Sequence, residues 1–109
     1  MNKTPDFIAD LHYLTTEQGG RKTPVFTNYF PQVKFSFSKN QDGGRQKFLN
    51  KEVVNPGEDV IAEITLLDSQ WCNNRLKTGL KFDIVEGPKL MGTGVIVVIL
   101  NKELLDESI

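Results

Sequence analysis

The feature that most restricts what this chain can become is a side-chain alternation of period two that returns along its whole length. Phe7, Ala9, Leu11 and Tyr13 alternate with Asp10 and His12. Val33, Phe35 and Phe37 alternate with Lys34, Ser36 and Ser38, and Val60, Ala62, Ile64 and Leu66 alternate with Glu63 and Thr65. Leu80, Phe82 and Ile84 then alternate with Lys81 and Asp83. Such a pattern puts apolar groups on one face of an extended strand, and no segment shows the 3.6-residue period of an amphipathic helix. Turn signals punctuate the strands at Gly19-Gly20, Asp42-Gly43-Gly44, Asn55-Pro56-Gly57 and Gly87-Pro88.

Read in order, the strands are Phe7–Leu14, Tyr29–Ser38, a short one around Gln46–Val54, Val60–Leu67, Leu80–Val85 and Gly94–Leu100. Pro31 predicts an edge or a bend at the start of the second. Lys39–Arg45 reads as a hairpin loop, with its glycines supplying positive φ. Gly94–Leu100 is apolar on both faces, as expected of a strand whose outer face is covered or which lies at a barrel seam. Six strands without helices predict an all-β fold, a six-stranded antiparallel β-barrel or a sandwich. The chain of 109 residues has room for a single core. Residues 1–6 read as a polar N-terminal extension and 101–109 as a polar acidic tail to which the sequence assigns no role.

Met1–Asp6 lacks the apolar core of a signal peptide, and no apolar run approaches the roughly 20 residues of a membrane span. A cytoplasmic protein without a membrane partner is expected. Cys72 is the single cysteine, so neither an internal disulfide nor a cysteine-based zinc site is expected. Net charge is −1, well short of the strongly basic balance of domains that hold nucleic acid by electrostatics alone. Its distribution is uneven. Residues 1–51 carry eight Lys or Arg against four Asp or Glu, and residues 52–109 carry five against ten. The alternatives are a basic patch and a surface on which the folded halves intermix their charges.

No catalytic residue, cofactor or metal is expected. His12 is the only histidine and falls on an outer strand face, more simply a surface or pairing residue than a metal ligand. Cys72 has no placed base beside it. Gly87–Gly94 (GPKLMGTG) has two glycines five positions apart but lacks the Lys-Ser/Thr that reaches a nucleotide's phosphates, so no nucleotide site is expected. Gly92-Thr93-Gly94 reads as a bulge or a close backbone approach. Glu58-Asp59 reads as a solvated turn.

Arg21 and Lys22 are the better candidates. Two cations on a Gly-rich loop, with Phe26, Tyr29 and Phe30 nearby, suit phosphate contacts flanked by rings that stack on sugars or bases. The plain alternative is a solvated turn with its aromatics in the core. Trp71 has two readings as well, a cap over the barrel end or an exposed anchor for a partner.

Three segments together carry a family resemblance: EQGGRKTPVFTNYFPQVKF at 17–35, VNPGEDVIAEITLL at 54–67 and GLKFDIVEGPKLMGTGVIVVIL at 79–100. The chain resembles the C-terminal β-barrel domain, domain three, of bacterial elongation factor Tu over roughly residues 7–100. The resemblance implies a six-stranded antiparallel barrel. It further implies contact with the T-stem backbone of aminoacyl-tRNA, with the family's own GTP-binding domain and with an exchange factor. Arg21, Gln32, Glu86 and Gly87 match the family's RNA-contacting positions. Lys22 stands where the family usually has histidine and Phe30 where it usually has arginine, and the loop Asp68–Thr78 is longer than its counterpart. The GTPase domain and the middle barrel are not among the 109 residues, so a stand-alone, non-enzymatic module without GTP switching is expected. Two ligands are then in view: tRNA or another RNA held by Arg21, Lys22, Gln32, Glu86, Gly87 and Phe30, or a translation-associated protein met by the barrel face or the Trp71 loop.

Overall fold

The computed structural model describes residues 4–107. It contains eight strands: β1 (Phe7–Tyr13), β2 (Val25–Phe26), β3 (Gln32–Phe35), β4 (Asp42–Phe48), β5 (Val53–Val54), β6 (Asp59–Leu66), β7 (Lys81–Glu86) and β8 (Lys89–Ile99). Six of them close an antiparallel barrel in the order β1-β6-β4-β3-β7-β8, and β2 pairs with β5 as a separate ribbon. The alternation left a barrel and a sandwich open, and the fold is the barrel that the family resemblance implied. Closure leaves the six barrel strands without a free edge, because β8 returns to β1 with Tyr13 opposite Gly92 and Phe7 opposite Ile99.

Most of the predicted inward set is inward, although Phe37 and Leu80 lie outside the strands and are only partly buried. Phe7, Ala9, Leu11, Val33, Phe35, Ala62, Ile64, Leu66 and Ile84 are fully buried. Phe7, Phe35 and Phe82 meet in the barrel interior with centroid separations of 5.4–6.3 Å. Room for the Phe82 ring comes from its cross-strand neighbour Gly94, where an added Cβ would lie 2.3 Å from the ring. This is the close approach expected of Gly92-Thr93-Gly94. Bulges also fall on β8, one beside Met91 and one at Val97.

Several boundaries differ from the sequence reading. The second strand is only Gln32–Phe35, and Phe37 lies in the following turn, where its ring stacks on Phe35 at 5.3 Å. Asp42, Gly43 and Gly44 are not a turn but the start of β4, and neither glycine has positive φ. Both are glycines for lack of space. A Cβ on Gly43 would lie 2.4 Å from the Phe30 ring, and one on Gly44 3.0 Å from Val33. The strand expected over Gln46–Val54 is two, β4 and β5, separated at Leu49–Glu52. The last strand starts at Lys89 rather than Gly94, and its outer face is uncovered at Val97 and Val98. The seam explanation holds there, since β8 closes the barrel and the Val97 bulge turns two adjacent valines outward.

The tail to which the sequence assigned no role is docked. A 3₁₀ turn at Lys102–Leu104 is capped by the Asn101 side chain, Leu104 is completely buried, and Leu105 bridges to Leu76. Asp6, read as part of the extension, is also buried. Its carboxylate accepts hydrogen bonds from Leu66 N (2.7 Å) and Asn101 Nδ2 (2.9 Å), tying both ends of the barrel chain together. Residues 1–3 and 108–109 of the expected extension and tail lie outside the described residues.

Burial sets the behaviour of the chain at alkaline pH. Cys72 is buried, and desolvation, helped by the charges of Asp42 and Asp6, pushes its thiol up to about 12. Burial likewise raises Tyr13 and Tyr29 above the ordinary tyrosine value, with the Tyr29–Glu86 hydrogen bond adding to the second. The unfolded chain releases these protons from about pH 9–10, whereas the folded chain keeps them. Fewer protons on the unfolded state mean that stability, fully present below pH 9, falls as pH rises through that range. Denaturation midpoints measured from pH 7 to 11 are expected to decline above pH 9, and Cys72 is expected to resist thiol reagents at pH 8 until the barrel unfolds.

Candidate functional site

One end of the barrel collects the C-terminus of β1, the N-termini of β3 and β8 and the C-terminus of β7. The Thr15–Gly20 turn leads into this end. Gly19 there has φ +96°, and Gly20 is pressed so closely on Leu14 that a Cβ would lie 2.5 Å from its carbonyl oxygen. That tight return directs Arg21 across the barrel mouth. Its guanidinium donates to Glu86 Oε2 (2.6 Å) and to Thr23 Oγ1 (3.2 Å), and it lies 5.3 Å from the Tyr29 ring centroid. The Tyr29 hydroxyl donates to the same Glu86 oxygen. Burial works against the Arg21 charge, but Glu86 and Tyr29 outweigh it and hold the guanidinium protonated.

Beside this knot lies a second one. Gln41 Nε2 donates to Gln32 Oε1 (3.0 Å) and to the Gly87 carbonyl (2.9 Å), while Gly87 N donates to the same Gln32 oxygen (3.3 Å). Gly87 has φ +59°, a conformation that glycine adopts without strain. The two glutamines therefore set the orientation of the β7–β8 turn. Beneath the knot Tyr13 donates to Gln46 Oε1 in the buried layer, and the Tyr13 and Tyr29 rings are 6.3 Å apart. Among the described residues Arg21 Nε and Gln46 Nε2 are buried without a hydrogen-bond partner, an uncommon cost in a folded interior.

The structure thus brings Arg21, Gln32, Glu86 and Gly87 into one surface although they are up to 66 positions apart. Lys22 is exposed next to Arg21 and makes no ion pair among the described residues. Phe30 is 44% exposed on the outer side of β4, with the Arg45 guanidinium 5.3 Å from its ring centroid. Trp71 lies apart from this surface, towards the other end of the barrel. It is half-buried against Phe35 (5.9 Å) and Phe37 (6.0 Å), and its indole N–H donates to Asp42 Oδ2 (3.3 Å). Of its two readings, this position is that of the cap.

Sequence reasoning missed Gln41 and Arg45, both of which it placed in a loop. The outward positions of β4 would have shown Arg45 and Lys47 together, but only once the strand was known to begin at Asp42. It also left the charge asymmetry open. Strand order resolves it, because the basic β3 and β4 lie between the acidic β7 and β6, with Lys34 opposite Asp83 and Lys47 opposite Glu63. At these pairings the two halves intermix their charges. His12 is a pairing residue whose Nδ1–H donates to Asp59 Oδ1 (2.6 Å) on the exposed face.

Among the described residues no three His, Cys, Asp or Glu side chains gather where they could hold a metal ion, and no helix is long and apolar enough to cross a membrane. The family model described as elongation factor Tu C-terminal domain matches residues 1–100. The chain belongs to that family. Its closed six-stranded barrel is the architecture the family resemblance implied. As a member of the elongation factor Tu C-terminal domain family, it is a barrel of the translation-factor type.

Proposed function

We propose that this barrel is a non-enzymatic, cytoplasmic binding module that takes an RNA backbone, tRNA first, on the end built from Arg21, Lys22, Gln32, Glu86 and Gly87. The observation that carries the reading is the joining of the four positions that match the family's RNA-contacting motif by two hydrogen-bonded knots, Arg21–Glu86 and Gln32–Gly87. Such a surface suits backbone contacts. Lys22 offers a mobile cation to a phosphate, and the Gly87 turn brings main chain close to a sugar edge with no side chain in the way. Arg21, already paired, contributes through a guanidinium whose direction is fixed, so less order has to be gained on binding.

Few cations take part, and binding is correspondingly modest and sensitive to salt. With about three phosphate contacts, log affinity is expected to fall with log salt at a slope near −2 to −3. Fluorescence anisotropy with labelled tRNA over a salt series measures it. Lys22→Ala is expected to reduce the slope by about one, and Arg21→Ala with Lys22→Ala to weaken binding roughly tenfold or more, because the Glu86 charge then faces the RNA without its guanidinium partner. Absence of salt-dependent tRNA binding by the folded wild-type chain would overturn the reading and favour a translation-associated protein as the partner.

A further inference from the structure

Phe30 stands apart from the rest of this surface in its chemistry. Its ring is 44% exposed, yet it is held: one edge rests on Gly43, where a Cβ would lie 2.4 Å from Cε1, and Arg45 lies over it at 5.3 Å. The chain around it is held too. Tyr29 N donates to the Phe26 carbonyl (3.1 Å), Asn28 between them has φ +76°, and Pro31 O accepts from Gly44 N (2.9 Å). The exposed part of a large apolar ring held in a fixed orientation gains nothing from burial, but it is prepared for a flat partner.

Its neighbours say which partner. Gly43 is the direct cross-strand partner of Gln32, so the ring adjoins the Gln32–Gln41–Gly87 knot. Arg45 and Lys47 follow Gly43 outward along β4, and Arg45 makes no ion pair among the described residues. A protein surface covering the ring would bury the Arg45 charge unless it brought a carboxylate. A nucleotide brings both halves at once, a base for the ring and a phosphate for the guanidinium. Bases inside a continuous A-form helix have both faces covered by their neighbours, so a ring on the side of the duplex meets only a base that has left the stack.

We propose that Phe30, seated on Gly43 and beneath Arg45, is a stacking platform for one unpaired nucleobase, so that the RNA bound here carries a bulged, looped-out or single-stranded nucleotide at this point. The inference rests on the RNA reading above and adds the form of the RNA. At a position where the family usually has an arginine, this chain offers a ring for a base in place of a cation.

The test uses the full chain and two RNA duplexes of equal length and ends, one continuous and one with a single bulged nucleotide. Wild type is expected to prefer the bulged duplex by about tenfold, within the range of one stacked base. Phe30→Ala is expected to bring that ratio to about one, and Phe30→Trp to keep it. Phe30→Arg is expected to remove the preference while steepening the salt slope by about one. Circular dichroism and thermal melts establish that each variant is folded. Equal wild-type affinity for the two duplexes, or an unchanged ratio in Phe30→Ala, overturns the platform while leaving backbone binding intact, and assigns the ring to a protein contact instead. Failure to bind either duplex is the separate result that overturns the RNA reading itself.

Discussion

Phe35→Ala is expected to lower the unfolding free energy by about 3–5 kcal/mol, the usual cost of removing a buried phenyl ring. Phe35 is fully buried where β3 pairs with β7 opposite Phe82, and its ring meets four others: Phe7 at 6.3 Å, Phe82 at 5.4 Å, Phe37 at 5.3 Å and Trp71 at 5.9 Å. The transfer cost of the ring is joined by that of a cavity which cannot collapse, because strands closed into a barrel are held at a fixed spacing by their ladders. Edge-to-face and stacked contacts among these rings add to the loss. Equilibrium urea denaturation is the measurement, with a fall in melting temperature of roughly 10–20 °C as its thermal counterpart. Phe35→Leu, which keeps most of the volume, is expected to cost about half as much or less. A loss below about 1 kcal/mol for the alanine variant would place the ring outside the core.

The second large effect is at the seam. At an unobstructed position, replacing glycine by alanine raises stability by about 0.4–1 kcal/mol through the unfolded chain. Gly92→Ala is expected to do the reverse and cost about 3 kcal/mol, the upper end of overpacking penalties. A Cβ there would lie 2.4 Å from the His12 carbonyl oxygen and 3.1 Å from the Tyr13 Cα, and both obstacles are main chain rather than the movable end of a side chain. The β1–β8 pairing would have to part, and this pairing closes the barrel. Hydrogen exchange should show it locally, with the Leu14 amide, bonded to Met91 O at 3.0 Å, losing protection before the amides of β4 and β6. A neutral or stabilising Gly92→Ala would contradict the seam geometry.

How far the sequence could be read depended on what kind of information each residue carried. Phe7, Ala9, Leu11 and Tyr13 announced β1 because burial on one face of a strand is a local rule repeated every second residue. The same rule carried β6 and β7. It failed at Asp42-Gly43-Gly44, whose composition signals a turn. There the demand for glycine comes from the Phe30 ring in the loop before β3 and from Val33 on β3, contacts across strands that local sequence does not encode. It failed again at Phe37, where the alternation continues past the strand because the ring packs on Phe35 and Trp71 from a turn. Leu104 and Leu105 looked like part of a polar tail, and only the neighbouring Leu76 shows why two leucines are needed there.

The candidate site divides in the same way. Its members Arg21, Gln32, Glu86 and Gly87 were legible through the family resemblance, and Lys22 and Phe30 through their neighbours in the loop. Their connections were not, since Gln41 and Arg45 enter only through strand pairing. By itself the sequence determined the all-β class and most of the strand faces, because alternation and turn chemistry act over a few residues, and its resemblance to a known family pointed to the barrel. Tertiary structure alone decided the strand order, the mixing of the two oppositely charged halves and the Arg21–Glu86 and Gln32–Gly87 knots. Each of these rests on which strands become neighbours when the barrel closes, a long-range choice that no short window of sequence contains.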